Sequence, residues 1–106
     1  MPTMKDREEG FERKFAFDEE LRFKATARRN KMLGLWAAEK LGKTGEDADA
    51  YAKQVVIADF EEAGDGDVVR KLRTDFEAAG VVQSEEQIRA VMQDLMLQAV
   101  QAIQNN

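Results

Sequence analysis

The sequence predicts an all-α protein: a four-helix bundle formed by residues 19–106, preceded by a flexible, helix-competent N-terminal arm at residues 1–18. Apolar residues recur three and four positions apart in four segments, and no segment alternates in the manner of a strand. Short turns containing Gly42, Gly64 and Gly80 separate these segments, which suits antiparallel neighbours. With 106 residues, 43% of them hydrophobic, the chain is long enough for one small core and hence one domain.

The first helix, about residues 20–41, is the expected spine of the bundle and carries the only tryptophan. Its broad apolar stripe consists of Leu21, Phe23, Ala25, Ala27, Met32, Leu33, Leu35, Trp36, Ala37 and Leu41. We expect Trp36 to pack in the core, with stacking on a ligand as the alternative. The basic quartet Arg28, Arg29, Asn30 and Lys31 interrupts the stripe, and we interpret it as solvated surface or, alternatively, as a binding face.

Turn and capping residues delimit the other three helices. The second helix keeps its apolar spacing through Phe60 until Gly64, the third ends at Gly80, and the last spans about residues 85–103. The expected N-terminal caps are Thr44 with Asp47, then Asp65 or Asp67, then Ser84 with Gln87.

Helix lengths set the N-terminal arm apart from the bundle. The spine helix spans roughly 33 Å and the last helix roughly 29 Å, so a spine that continued back to Asp6 would overshoot by roughly 20 Å. Phe11 and Phe15 would then have no core to enter. Either the arm is a tail whose aromatic rings pack loosely on the bundle, or it folds on a partner protein with these rings as anchors.

Composition excludes several classes of function. The chain has no cysteine and no histidine, which excludes disulfides, the common zinc sites and histidine-based catalytic triads. A net charge of -5 makes nucleic-acid binding unexpected. Residues 1–31 nevertheless hold nine Lys/Arg against seven Asp/Glu, whereas residues 32–106 hold seven against fourteen. With no apolar run long enough for a transmembrane segment and no signal peptide, we expect a cytoplasmic protein. Because no nucleophile is paired with a base, we do not expect an enzyme.

Three local patterns bear on ligand binding. Gly42-Lys43-Thr44 resembles the end of a phosphate-binding loop, but Ala37 occupies the position of the first glycine and a helix precedes it. The acidic run at residues 59–67 has no register with both the glycine and the closing glutamate of a calcium loop, so no metal is expected. Arg28, Arg29 and Lys31, with Trp36, are candidates for weak binding of ATP or ADP, since arginine offers a bidentate fork to phosphate.

A longer stretch resembles a known family. Residues 6–72, DREEGFERKFAFDEELRFKATARRNKMLGLWAAEKLGKTGEDADAYAKQVVIADFEEAGDGDVVRKL, are similar to the zeta subunit of alphaproteobacterial ATP synthases, the ATPase inhibitor of that enzyme. The resemblance extends over about residues 6–103. It is most specific at Phe23 and at residues 27–30, 33–39 and 51–64.

The resemblance implies a four-helix inhibitor of ATP hydrolysis that binds the catalytic head of the F-type ATP synthase, peripheral to the inner membrane. Its N-terminal segment would enter an interface of the alpha, beta and gamma subunits and block rotation. Carried onto this chain, the inhibitory arm comprises Asp6, Arg7, Phe11, Arg13, Lys14, Phe15 and Phe17. Nucleotide binding has also been discussed for family members. The alternatives are a nucleotide-sensing protein or a non-inhibitory helical adaptor that docks through its acidic residues 46–75.

Overall fold

The computed structural model describes residues 19–60 and 64–104, and within these ranges the chain forms four α-helices and no strand. The helices are α1 (Glu19–Lys40), α2 (Gly45–Ala58), α3 (Gly66–Ala78) and α4 (Glu85–Gln104). This confirms the all-α class and the predicted order of helices. The predicted arm, residues 1–18, lies outside the described residues, and so do residues 61–63 and 105–106.

Helix α1 is the centre of the bundle, as the sequence predicted. It packs against α2 and α4, while α3 contacts α2 and α4. Buried side chains from all four helices form one apolar core. Its members are Leu33, Ala37, Ala38, Tyr51, Val55, Val68, Val69, Leu72, Phe76, Ile88 and Met92. Burying such side chains is the main favourable contribution to the stability of the bundle, at about 1.5 to 3 kcal/mol for each large one.

Helices α1 and α2 approach most closely at Gly34. A Cβ atom built on Gly34 would lie 2.5 Å from the Cα atom of Ala52 and 3.3 Å from Cβ of Val55. Real Cβ atoms do not come that close to backbone, so any side chain at this position would force the two helices apart. Gly34 therefore belongs to the packing of the bundle, although glycine inside a helix is locally unfavourable.

Glycine residues end α1 and α3 in the same way. Gly42 and Gly80 have positive φ angles of 77° and 71°. In each case the following amide donates back across the last turn, Lys43 to the carbonyl of Ala38 and Val81 to that of Phe76, both at 2.8 Å. This is the Schellman arrangement, which satisfies carbonyl groups at the helix end and requires a residue that tolerates the left-handed region.

The predicted caps have different outcomes. Ser84 and Gln87 form the capping box: the Gln87 amide donates to Ser84 Oγ at 3.1 Å, and the Ser84 amide donates to Gln87 Oε1 at 2.9 Å. Thr44 is the N-cap residue of α2, but its side chain makes no cap hydrogen bond, so the box with Asp47 was wrong. Gly45 has a φ of 55°, and this distorts the first turn that a capping side chain would have to reach.

Two further expectations need correction. Helix α2 ends at Ala58, so Phe60 lies in the turn that follows rather than on the helical stripe. Phe23 of the α1 stripe is 57% exposed, Phe60 is 61% exposed, and Leu35 is 38% exposed. The stripe on α1 is narrower than its apolar residues suggest, because Arg29 and Asn30 occupy part of the buried face.

Candidate functional site

The candidate inhibitory arm precedes the described part of α1. All seven of its candidate residues, Asp6, Arg7, Phe11, Arg13, Lys14, Phe15 and Phe17, lie outside the described residues. The described residues begin with Glu19 and Glu20 in the first turn of α1. Acidic side chains at this end of a helix interact favourably with the helix dipole. The arm thus joins the bundle at the N-terminal end of its central helix.

The basic quartet divides between the interior and the surface. Arg28 and Lys31 are exposed and lie three residues apart, on the same side of α1. Arg29 and Asn30 are only 5% and 1% exposed. The interpretation of all four residues as one solvated or ligand-binding face was therefore wrong, and Arg28 and Lys31 are its accessible members.

The guanidinium of Arg29 is held by hydrogen bonds on both sides. Nη2 donates to Asp65 Oδ1 at 2.8 Å and Nη1 donates to Asp65 Oδ2 at 3.3 Å, a bidentate ion pair across 36 residues of sequence. Nε and Nη2 donate to Asn30 Oδ1 at 3.1 and 2.9 Å. The fork that could have bound a phosphate instead binds a carboxylate, and it joins α1 to the start of α3.

This ion pair also explains why the side chain at the N-cap of α3 makes no cap hydrogen bond. Asp65 is the N-cap residue, as predicted, but its side chain makes no cap hydrogen bond because its carboxylate accepts from Arg29. Asp67, the alternative cap, bonds Arg70 Nη1 at 3.0 Å. The sequence did not predict the Arg29–Asp65 ion pair, because no local spacing rule connects positions 29 and 65.

Asp59 borders the same network at the C-terminal end of α2. Burial raises the pKa of its carboxyl, and the neighbouring charges of Asp65 and Asp67 raise this pKa further. Arg29 and a hydrogen bond with Asn30 oppose these effects and lower it. The cation of Arg29 thus acts on Asp59 as well as on Asp65, and burial is the largest single influence on the pKa of Asp59.

Tyr51 anchors a second polar cluster, between α2 and α3. Its hydroxyl donates to Asp75 Oδ2 at 2.7 Å, and Lys71 Nζ donates to the same oxygen at 3.1 Å. Lys71 and Lys43 also place Nζ 5.0 and 5.8 Å from the centroid of the Tyr51 ring. Burial, the bond to Asp75 and the Asp75 charge raise the pKa of Tyr51 far above its ordinary value, so the phenol keeps its proton.

Trp36 packs on the apolar core, as expected. Its ring is partly buried and meets Phe76 edge-on, with the two ring centroids 5.8 Å apart. Lys40 Nζ lies 5.4 Å from the Trp36 centroid. Trp36 follows Arg28 by eight residues, about 12 Å along the helix axis, so the structure does not bring Trp36 together with Arg28 and Lys31.

Metal ligands and membrane-spanning helices were the other features to examine in the described part of the chain. Between residues 19–60 and 64–104, no group of three or more His, Cys, Asp or Glu side chains is arranged to hold a metal ion. None of the helices in these ranges is long and apolar enough to cross a membrane. Lys43, which belongs to the segment that resembles the end of a phosphate-binding loop, lies over the Tyr51 ring.

Comparison with known proteins gives the family. The model of the family described as ATPase inhibitor subunit zeta matches residues 1–102. A relative solved by solution NMR is 48% identical, with a TM-score of 0.71, and the match covers 80% of this chain and 96% of the relative. No curated protein matches significantly. Because the family model spans nearly the whole chain, including the arm, the chain belongs to the ATPase inhibitor subunit zeta family.

Proposed function

We propose that this protein inhibits ATP hydrolysis by the F-type ATP synthase, and that it does so through residues 1–18. The observation that carries the proposal is the match to the inhibitor family over residues 1–102, which includes the arm as well as the bundle. The protein acts as an inhibitor and not as an enzyme. Its partner is the catalytic head, formed by alpha, beta and gamma subunits, and it associates with the inner membrane only through that enzyme.

The mechanism assigns different tasks to the arm and the bundle. The arm folds as a helix in the interface of the alpha, beta and gamma subunits, where Phe11 and Phe15 fill apolar contacts. Arg7, Arg13 and Lys14 meet acidic groups on the head. Ordering the arm costs about 2 to 5 kcal/mol, and burying two phenylalanines returns about 2 to 3 kcal/mol each. The bundle stays outside as a stop, so the arm opposes rotation as a wedge.

The test is ATP hydrolysis by the purified catalytic head of the same organism, titrated with four proteins. These are the full chain, a variant lacking residues 1–18, the double substitution Phe11→Asp/Phe15→Asp, and Leu97→Asp. The last is a control, because Leu97 is 61% exposed on α4. Thermal unfolding checks that each variant is folded.

We expect saturable inhibition by the full chain and by Leu97→Asp, and none by the other two variants. If the truncated variant inhibits as well as the full chain, the arm is not the inhibitory element. If no protein inhibits, the inhibitor function fails, and the adaptor that docks through its acidic residues takes its place. Two of those residues, Asp65 and Asp75, already bond Arg29 and Tyr51 within the bundle.

Weak binding of ATP or ADP is a second proposal, supported by the exposure of Arg28 and Lys31 on one side of α1. Two cations at this spacing can contact a polyphosphate. Because Trp36 lies about one and a half turns further along the helix than Lys31, its fluorescence alone is an indirect reporter. Saturable shifts of the Arg28 and Lys31 amide resonances on addition of nucleotide would support binding, and unchanged resonances at millimolar nucleotide would refute it.

A further inference from the structure

Helices α1 and α2 enclose an open groove of about 540 Å³. Among the described residues, its lining comes from these two helices: Lys31, Asp49, Ala52, Lys53, Val56 and Ile57. We call this the α1–α2 groove. Its floor is apolar, and Lys31 from α1 and Lys53 from α2 provide cations at its edges.

Exposed apolar side chains lie beyond the lining of this groove, towards the N-terminal end of α1. Ile57 is 60% exposed, and one turn further Phe60 contacts Phe23 with ring centroids 5.6 Å apart. These three belong to the six large apolar side chains that are exposed in the described ranges. Most of the apolar area of the Phe23–Phe60 pair is not buried within the bundle. Clustered exposed apolar area of this kind is typical of interaction surfaces.

The charge of the groove differs from that of the whole chain. Two lysines and one aspartate line it, and Arg28 is exposed on the same side of α1 as Lys31, whereas the whole chain has a net charge of -5. A rim in which Lys31, Lys53 and the nearby Arg28 outnumber Asp49 carries net positive charge, which complements an apolar segment flanked by carboxylates. Such a rim would repel a basic partner.

The position of the groove relates it to the arm. The arm ends immediately before Glu19, the first residue of α1. Phe23 follows Glu19 by four residues, a rise of about 6 Å along the helix. If the arm is buried in the catalytic head up to residue 18, the Phe23–Phe60 pair lies within about one helical turn of the same surface. The rest of the bundle is further away along α1.

From these observations we propose that the α1–α2 groove and the Phe23–Phe60 pair are a second docking surface for the catalytic head. The groove receives an apolar segment of the head that is flanked by carboxylates, beside the interface that the arm enters. This inference rests on the proposed function, which supplies the partner. A second contact would raise the effective concentration of the arm at its interface, and the lysines would make association depend on ionic strength.

The test uses the full chain and two groove variants, Lys31→Glu/Lys53→Glu and Ile57→Asp. Each has a matched control outside the groove. Arg73→Glu/Arg89→Glu makes the same change in charge at two half-exposed residues of α3 and α4. Leu97→Asp replaces a side chain that is as exposed as Ile57. Binding to the immobilised head is measured by interferometry at two salt concentrations, together with inhibition of ATP hydrolysis.

We expect both groove variants to bind the head about tenfold more weakly than the full chain, the loss of a typical interface anchor, while both controls stay within about twofold of it. The double lysine variant should also show a weaker salt dependence of binding than the full chain, and the dependence that remains belongs to the arm cations Arg7, Arg13 and Lys14. Ile57→Asp removes no cation, so its effect separates docking from nucleotide binding at Lys31. Thermal unfolding confirms that the variants are folded.

Three results would overturn the inference. Groove variants that bind like their controls exclude the groove from the interface while leaving inhibition by the arm intact. Groove variants that bind or inhibit more strongly indicate that the groove holds the chain's own arm and competes with the head. A full chain that neither binds nor inhibits removes the proposed function itself, and with it the partner of the groove.

Discussion

Two neighbouring stretches of α1 are buried by different means. In residues 33–38, Leu33, Gly34, Ala37 and Ala38 are buried, and contact with α2 depends on shape, since Gly34 leaves no room for a methyl group. In residues 25–30, Arg29 and Asn30 are buried, and burial depends on hydrogen bonds to Asp65 and between the two residues. Substitutions that add atoms should therefore lower the stability of the protein in residues 33–38. In residues 25–30, substitutions that remove hydrogen-bond donors should do so.

The largest expected effect is at Gly34. Gly34→Ala gains about 1 kcal/mol of helix propensity, but its methyl group would collide with the backbone of Ala52 at 2.5 Å. We expect a net loss of about 2 to 3 kcal/mol, typical of an overpacked core. Urea unfolding at equilibrium measures this difference in the free energy of unfolding.

Gly66→Ala is the matched control for this prediction. Gly66 is the first residue of α3, and a Cβ atom there would meet nothing within 4 Å. We expect Gly66→Ala to leave the free energy of unfolding unchanged or to raise it by a few tenths of a kcal/mol. Equal free energies for the two alanine variants would mean that α1 and α2 can separate at no cost, contrary to close packing at Gly34.

A smaller effect is expected from Arg29→Met. The substitution keeps an unbranched side chain but removes the guanidinium, which leaves the buried Asn30 Oδ1 without its two donors from Arg29. An unsatisfied buried polar group costs about 1 to 3 kcal/mol. Asp65 adds little, because its side chain is 41% exposed and can bind water. The same urea unfolding experiment measures the total.

Arg89→Met is the control for Arg29→Met. Arg89 is 52% exposed and lies 3.7 Å from Glu85 within α4, so its loss should cost less than about 0.5 kcal/mol. If the two variants have the same stability, the hydrogen bonds of Arg29 contribute no more than a surface ion pair. In that case burial of residues 25–30 rests on Ala25 and its apolar neighbours.

The sequence was sufficient for the helices but not for the burial of their residues. Apolar spacing and the glycines at positions 42 and 80 follow from local chemistry, so the order of the helices and two of their ends could be predicted. Spacing alone assigned Phe23 and Phe60 to buried stripes and Arg29 to the surface. The Arg29 assignment failed because a distant residue, Asp65, bonds its guanidinium. The other two failed because α2 ends before Phe60, and no helix covers the Phe23–Phe60 pair among the described residues.

The candidate nucleotide residues show the same limit. The quartet is contiguous in sequence, but successive residues of a helix point about 100° apart, so four in a row cannot share one face. The structure places Arg28 and Lys31 outside and Arg29 inside. The prediction that Trp36 packs on the core was confirmed, because a large ring on the spine of a small bundle has few other places to bury its area.

The smallest expected effect concerns pH and again involves the polar stretch. Burial raises the pKa of Asp59 above its ordinary value of 3.8, and Asp65 and Asp67 add to this. The folded chain therefore holds this proton more tightly than the unfolded chain, so ionised Asp59 lowers stability at pH values above its folded pKa. Asp59→Asn should stabilise the protein at pH 7 by less than about 1 kcal/mol, because solvent screens the partly exposed carboxyl.

The advantage of Asp59→Asn should shrink as the pH falls through the folded pKa, and it should vanish below 3.8, where the wild-type carboxyl is protonated in both states. Asp94→Asn is the control for the change in net charge, since Asp94 lies on the exposed side of α4. Urea unfolding at several pH values measures both variants. A stabilisation by Asp59→Asn that persists below pH 3.8 would have to come from the hydrogen bonds of the new amide. A loss of stability at pH 7 would mean that the attraction of ionised Asp59 to Arg29 outweighs the cost of burying its charge. The second outcome would make Asp59 a true third member of the Arg29 ion pair, and the polar stretch of α1 would then hold the bundle more strongly than its hydrogen bonds to Asn30 and Asp65 suggest.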